Sequence, residues 1–292
     1  MFAGLLHTVV RSVSWVLLCA FVLFFVLISA LCVFQRNLIF PRPRKENACE
    51  IVHGRLISLD LSGEARPAGV AETIVAVYFA PATEAEWTLA FWHGNADQLG
   101  NVADSLGAAL NRQHGLGFLG IEYPGYALCD GEPTEASMLW SAERFLRHLT
   151  LPRAQGGLGC RSQRVCAFGQ SIGTSVALQM AARGLAARCV LLSAFCSIPR
   201  MCSALFPFVP MPERFVLDAF DSAAVAASVT VPTLLLHGTR DEIVPFEQGK
   251  ELASLVPGAR FVEMPNAGHN DTCAGANYTT LIKTLPGFFE SA

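Results

Sequence analysis

The chain is 292 residues long, with a formal net charge of −3, 52% apolar residues and only 15% charged residues. This length suits one enzyme-sized domain of roughly 250 residues plus an extension, and the slight negative charge argues against a nucleic-acid surface, which needs a basic face. The ten cysteines lack the paired spacing of zinc or thioredoxin-like sites, so scattered free thiols are favoured over disulfides.

The N-terminal segment is intensely apolar. No charged residue occurs from Ser12 to Gln35, and a helix of that length crosses a hydrocarbon core of about 30 Å. We predict a membrane anchor at residues 1–40, with the span at about 13–35 and a linker near Pro41–Arg44. A cleaved signal peptide is the alternative, but its apolar region would be shorter.

The charges that flank the span predict its orientation. Four basic residues follow it closely: Arg36, Arg42, Arg44 and Lys45. The positive-inside rule therefore favours a single-pass protein with a cytosolic catalytic domain. Glycosylation sequons at Asn270 and Asn277 favour the luminal side more weakly. The organelle and the oligomeric state are not readable from the sequence.

Strand-length apolar stretches bounded by Gly, Pro or Asn follow. They are Ile51–Leu61, Thr73–Phe79, Trp87–Trp92, Gly117–Glu122, Arg164–Phe168, Arg188–Leu192, Thr233–His237 and Arg260–Met264. Segments of helical character alternate with them: Asp97–Arg112, Glu135–Leu149, Ser171–Arg183, Phe246–Leu255 and Tyr278–Phe289. We predict an opening antiparallel pair, then a mostly parallel sheet with helices on both faces, in an α/β domain over residues 46–292.

The sharpest motif is G-x-S-x-G, formed by residues 169–173 around Ser171. It follows a predicted strand and opens a predicted helix, which is the context of the nucleophile elbow of α/β hydrolases. The turn holds the serine hydroxyl in the cleft, and the glycines leave room for neighbouring backbone. We predict that Ser171 is a catalytic nucleophile on an α/β-hydrolase fold.

A serine nucleophile needs a base and an acid. Of the seven histidines, His269 lies on a loop after the last predicted strand, where the triad histidine of this fold is expected. Asp241 follows the strand at Thr233–His237 and is predicted to orient that histidine. Glu242 is adjacent and could serve instead, whereas Asp221 is disfavoured because it precedes the strand.

Acyl transfer also needs an oxyanion hole made of two backbone N–H groups. The residue after the nucleophile, Ile172, is predicted to supply one. The loop after the strand ending at Trp92 is predicted to supply the other, from Asn95 with Ala96 as the alternative. The His93 and Asn95 side chains are then expected to brace this loop.

Five blocks of sequence occur in the order of a known family: residues 93–97 (HGNAD), 122–126 (EYPGY), 169–174 (GQSIGT), 237–242 (HGTRDE) and 268–271 (GHND). In these blocks the chain resembles the α/β-hydrolase-domain serine hydrolases that include membrane-bound protein depalmitoylases. The resemblance implies Ser171, Asp241 and His269 as nucleophile, acid and base, and no metal or organic cofactor.

Two features depart from that family. Depalmitoylases are tethered by a palmitoylated cysteine cluster, whereas this chain has an apparent transmembrane helix, as in related single-pass hydrolases. Ala127 stands where the family's pattern has glycine after Gly125 and Tyr126. These departures leave the reaction class intact and put the substrate in question.

A short apolar flap is predicted between Ala194 and Phe220, where this fold inserts its lid. We predict that Leu205, Phe206, Phe208 and Met211 bind an acyl chain there, with packing on the sheet as the alternative. The predicted substrate is an acylated membrane protein or lipid, cleaved at an ester or thioester such as a palmitoyl thioester. A serine peptidase of the prolyl-oligopeptidase type and a non-enzymatic membrane scaffold are the alternative functions.

Overall fold

The computed structural model describes residues 2–207, 211–273 and 275–290. It begins with helix α1, Phe2–Ile39, which is longer than the predicted span because no helix breaker precedes Pro41. Within the described residues, its part Val10–Ile39 is the one helix long and apolar enough, by length and composition, to cross a membrane. The nine cysteines from Cys19 to Cys202 are free thiols.

Eight strands among the described residues form a single sheet. They are β1 (Arg55–Asp60), β2 (Thr73–Phe79), β3 (Thr88–Trp92), β4 (Gly117–Ile121), β5 (Val165–Gln170), β6 (Arg188–Leu192), β7 (Thr233–Gly238) and β8 (Arg260–Met264). Their order is β1-β2-β4-β3-β5-β6-β7-β8. The predicted opening pair β1–β2 is antiparallel, β2 is antiparallel to β4, and every later pairing is parallel.

Helices cover both faces of this sheet. After α1 they are α2 (Leu99–Val102), α3 (Ala108–His114), α4 (Glu135–Thr150), α5 (Ile172–Ala182), α6 (Ile198–Leu205), α7 (Ser222–Ala226), α8 (Phe246–Leu255) and α9 (Gly275–Glu290). Two hydrophobic clusters result, one on each side of β3 to β7, because strands buried on both faces are continuously apolar. The predicted α/β-hydrolase architecture is confirmed.

The predicted helix at Asp97–Arg112 has a different internal structure. A π-helical segment, Ala103–Gly107, joins α2 to α3. A Cβ atom on Gly107 would lie 2.8 Å from the Phe118 ring, so only glycine fits where this segment crosses β4. This close packing holds the π-helical segment against β4.

Candidate active site

Ser171 lies at the sharp turn between β5 and α5. Its backbone has φ 52° and ψ −119°, in a region that residues other than glycine rarely adopt. The Ser171 N–H donates to the Leu192 carbonyl on β6 at 2.9 Å, which holds the turn above the end of the sheet. The predicted strand–turn–helix context of the motif is therefore present.

The two glycines of the motif are required by close backbone contacts. A Cβ atom on Gly169 would lie 2.2 Å from the Gly173 carbonyl oxygen, and one on Gly173 would lie 2.2 Å from that of Trp92. Real Cβ atoms do not approach backbone oxygen so closely. The turn after β5 can therefore pack this closely against the end of β3 only when both positions are glycine.

The structure brings the three predicted triad side chains together. His269 Nε2 lies 3.0 Å from Ser171 Oγ, and His269 Nδ1 lies 2.8 Å from Asp241 Oδ2. The imidazole is buried, with 6% of the residue exposed. Its backbone N–H donates to Glu242 Oε2 at 3.3 Å, so Glu242 supports the histidine loop, whereas Asp241 contacts the ring.

Asp241 is held at the end of β7 by its own backbone surroundings. Its Oδ1 accepts hydrogen bonds from the N–H groups of Ile243 and Val244, at 3.0 and 2.7 Å. His237 Nε2 lies 3.4 Å from Oδ2. Although burial alone would raise the pKa of this carboxyl, the hydrogen bonds from His237, His269 and Val244 lower the pKa well below its ordinary value. Asp241 is therefore ionised at neutral pH and can fix the tautomer of His269.

The loop after β3 is braced by a buried pair. His93 Nε2 lies 2.8 Å from Glu122 Oε1, and both side chains are almost completely buried. Burial alone would lower the pKa of His93, but the hydrogen bond and charge of Glu122 raise it above its ordinary value. The Tyr123 hydroxyl also donates to the His93 carbonyl at 2.6 Å. The His93 side chain thus braces the loop.

The two residues predicted to supply oxyanion donors, Asn95 and Ile172, line the same cavity as Ser171. Among the described residues, no backbone hydrogen bond of a turn or loop uses the N–H group of Asn95 or Ile172. The Asn95 side chain is fully engaged: its oxygen accepts from the Tyr126 hydroxyl at 2.6 Å, and its amide donates to the Ile39 carbonyl. Burial raises the pKa of Tyr126, which keeps the phenol a neutral donor.

Comparison with known proteins agrees with the fold. A family model described as a TAP-like protein matches residues 194–284, which include Asp241 and His269. The chain is 32% identical over 205 residues to Alpha/beta hydrolase domain-containing protein 17B of Homo sapiens, covering 68% of this chain and 66% of that protein. It is 29% identical over 219 residues to Alpha/beta hydrolase domain-containing protein aho-3 of Caenorhabditis elegans, covering 73% of this chain and 61% of that protein. The chain belongs to the α/β-hydrolase family.

Solved structures show the same fold at low sequence identity. A thermophilic esterase from Thermogutta terrifontis, determined with butyrate bound, superposes with a TM-score of 0.56 at 19% identity, covering 74% of this chain and 88% of that one. A hydrolase from Pseudomonas aeruginosa superposes with a TM-score of 0.57 at 21% identity, covering 82% and 99%. The chain spans less than two thirds of the length of the two curated relatives named above. Together these similarities support a hydrolase.

A cavity of about 600 Å³ opens over Ser171 in this α/β hydrolase. Its apolar wall is formed by Phe195, Ile198 and Met201 at the start of the flap and on α6. Ile39 and Pro41, at the end of α1 and just after it, line the opposite side. No sequence pattern pointed to these two residues, because periodicity describes one helix at a time and not what its end contacts.

The four flap residues predicted to bind an acyl chain lie farther out. Leu205, Phe206 and Met211 are each at least 46% exposed, and Phe208 lies outside the described residues. The flap residues that line the cavity over Ser171 are Phe195, Ile198 and Met201, which precede them in the chain. Phe206 faces a second cavity beside α1.

The described residues include no group of three or more His, Cys, Asp or Glu side chains arranged to hold a metal ion.

Ala127, which replaces the glycine of the family's pattern, has φ 28° and donates its N–H to the Pro43 carbonyl at 3.1 Å. The turn therefore keeps a positive φ even though alanine occupies it.

Proposed function

We propose that this α/β hydrolase is a serine hydrolase that cleaves acyl ester or thioester bonds through an acyl-enzyme on Ser171. The observation that carries the proposal is the position of the His269 ring, with one nitrogen 3.0 Å from Ser171 Oγ and the other 2.8 Å from Asp241. An imidazole held between a hydroxyl and a carboxylate is arranged to remove the hydroxyl proton.

The first half of the reaction forms the acyl-enzyme. His269 Nε2 takes the Ser171 proton as Oγ attacks the substrate carbonyl, and Asp241 stabilises the imidazolium that results. The N–H groups of Asn95 and Ile172 are proposed to donate to the oxyanion. In other enzymes the loss of one such donor costs about 3 kcal/mol of transition-state stabilisation. The tetrahedral intermediate collapses as the leaving alcohol or thiol accepts the proton from His269.

The second half releases the acyl group. A water molecule enters where the leaving group departed, and His269 removes one of its protons as the oxygen attacks the acyl carbon. The bond from that carbon to Ser171 Oγ breaks, and Oγ regains its proton from His269. A free carboxylic acid leaves, and the steps need no metal or organic cofactor.

The surroundings of Ser171 support an acylated substrate drawn from a bilayer. One part of the cavity wall is apolar, as a hydrocarbon chain requires, and it includes residues at the end of α1. A helix that can span a membrane would therefore place the cavity close to the bilayer surface. We propose a palmitoylated protein or a lipid ester as substrate, reached from the cytosolic side of a single-pass protein.

The test is labelling of the full chain with a fluorophosphonate probe, with wild type and Ser171→Ala compared in parallel. A palmitoyl thioester and a peptide serve as separate competitors. The expected result is labelling of wild type only, blocked by the thioester. Circular dichroism spectra that match between the two proteins exclude misfolding of the variant.

The other outcomes identify the alternative functions. Blocking by the peptide alone would favour a serine peptidase. A well-folded wild type that is not labelled would mean that the nucleophile is not activated, which would favour a scaffold without enzymatic activity.

A further inference from the structure

A second cavity of about 560 Å³ lies between α1 and the flap, and we name it the anchor–flap groove. One wall is a stripe on α1 that includes Ile28, Leu31 and Cys32. The other wall is formed by Cys202 and Phe206 from α6 and its end, and by Phe215 and Val216 from the returning segment of the flap. No acidic or basic side chain is among its lining residues.

The groove and the catalytic cavity are neighbours. Ile39 lines both of them, and Met201 and Cys202, adjacent on α6, line the catalytic cavity and the groove respectively. From Leu27 to Ile39 the groove follows α1 for about 18 Å, at about 1.5 Å per residue. A chain attached at Ser171 can therefore pass Ile39 and continue along the helix towards the membrane.

Hydrogen bonds fix the two walls relative to each other. Gln35, the polar side chain of the groove, donates to the Phe215 carbonyl at 3.0 Å and accepts from the Leu217 N–H at 2.8 Å. Arg36 Nε donates to Asp218 Oδ2 at 2.8 Å. Because the Gln35 side chain is hydrogen-bonded to the flap backbone, the surface that the groove presents to a ligand is almost entirely apolar.

The outer surface of the flap is also apolar. Leu205, Phe206, Met211, Phe215 and Leu217 are each at least 40% exposed. Contiguous exposed apolar side chains beside a helix that can span a membrane are typical of a surface that rests on lipid. The mouth of the groove would then open to the acyl region of the bilayer rather than to water.

We propose that the anchor–flap groove binds the fatty acyl chain of the substrate while its carbonyl carbon lies at Ser171. This inference rests on the proposed function, and it makes α1 part of the substrate site as well as a tether. A long acyl chain gains van der Waals contact with the groove at each methylene, whereas a butyryl chain gains little of it. The groove therefore predicts a preference for long acyl chains that depends on residues of the anchor.

The first test fills the groove. Leu31→Trp places an indole in the groove, whereas Val33→Trp, two residues away on the exposed side of α1, is the matched control. The full chain is assayed in lipid nanodiscs with butyryl, octanoyl and palmitoyl aryl esters, and kcat/KM is measured for each. The expected result is a palmitoyl-to-butyryl ratio lowered about tenfold or more in Leu31→Trp, because the indole occupies the space of the acyl chain, and unchanged in Val33→Trp.

The second test uses the wild-type chain and so does not depend on the folding of a variant. A fluorophosphonate with a palmitoyl-length chain and a terminal diazirine is attached to the nucleophile and then irradiated. Crosslinks to residues 27–38, or to Cys202, Phe206, Phe215 or Val216, are expected. Crosslinks confined to other parts of the chain would overturn the proposal.

The outcomes distinguish a failure of the groove proposal from a failure of the proposed hydrolase function. Normal labelling of Ser171 with the same chain-length ratio in both tryptophan variants would overturn the groove and leave the hydrolase intact, with a bilayer lipid as the occupant. An absence of labelling by any fluorophosphonate would mean that the proposed function itself fails.

Discussion

The side-chain amide of Asn95 donates a hydrogen bond to the main-chain carbonyl of Ile39, which joins the loop predicted to hold the oxyanion to the last turn of α1. Phe40, the next residue, is 3% exposed, and its ring lies 6.0 Å from that of Phe220. The end of the helix is thus packed into the catalytic domain. An exposed carbonyl at a helix C-terminus is satisfied here by the active-site loop.

This contact predicts where α1 can be cut. Removing residues 2–33 retains Gln35 to Phe40 and their contacts, so activity on soluble butyryl esters should remain near that of wild type. Removing residues 2–40 deletes the partner of Asn95 and the buried Phe40 ring. Loss of a buried Phe side chain costs about 3 kcal/mol or more, so this variant should unfold more easily and lose esterase activity.

The measurement is kcat/KM on butyryl esters together with the free energy of unfolding in urea. Equal activity and stability in the two truncated proteins would show that the end of α1 is dispensable to the site. If removal of residues 2–33 already abolishes activity, the part of α1 before Gln35 is needed for activity instead.

Much of the site could be read from the sequence because strand order dictates it. Thr73–Phe79, Arg188–Leu192 and Arg260–Met264 begin and end where predicted, and the parallel pairing of β5 and β7 with β6 brings their carboxyl ends to one edge. Ser171 directly follows β5, and Asp241 lies in the loop that follows β7. The local sequence pattern and the topology of the fold were therefore sufficient to predict the positions of Ser171 and Asp241.

The contacts of α1 with the cleft could not be predicted in the same way. Ile39 and Asn95 are 56 residues apart, and no periodicity relates them. The flap shows the same limit, because its apolar composition indicated an acyl site but not which side chains face inward. Ile198 and Met201 line the cavity, whereas Leu205 is 46% exposed.

Asp241→Asn should lower kcat by roughly 10³–10⁴-fold, because an amide no longer fixes the His269 tautomer or stabilises its charge. The matched control is Asp221→Asn, since Asp221 is an aspartate that caps α7 by accepting from the Ala224 N–H at 3.0 Å. Asparagine caps helices about as well as aspartate, so the control should keep its activity. Similar losses in both variants, measured with butyryl esters, would argue against Asp241 as the catalytic acid.

Gly173→Ala tests the elbow directly. Its Cβ atom would lie 2.2 Å from the Trp92 carbonyl oxygen, so the backbone at Ser171 must move. We expect a loss of about 1–3 kcal/mol in unfolding free energy, and a rate of fluorophosphonate labelling lowered by about 10²-fold. Gly287→Ala is the control, because Gly287 lies in α9 with open space where a Cβ atom would stand, and alanine there should stabilise the helix. A Gly173→Ala protein that is labelled at the wild-type rate would contradict the tight elbow.

The His93–Glu122 pair predicts a pH dependence of stability. The pKa of His93 is raised in the folded protein, so folding favours its protonated form. The resulting stabilisation is fully present below the unfolded pKa of about 6.5 and is lost as pH rises through the raised folded value. In Glu122→Gln the charge that raises the pKa is gone, and burial instead favours neutral His93. The difference in unfolding free energy between wild type and Glu122→Gln should therefore shrink as pH rises above about 6.5.

Urea unfolding between pH 5 and pH 9 would measure this difference, roughly the interval over which histidines titrate. The other histidines are common to both proteins, so their contributions cancel in the difference. Glu50→Gln, at an exposed carboxylate, is the control and should show a difference from wild type that does not change with pH. A wild-type advantage over Glu122→Gln that stays constant or grows with pH would mean that His93 is neutral in the fold, and that Glu122 holds the loop through its bonds to the Leu99 and Tyr123 N–H groups alone.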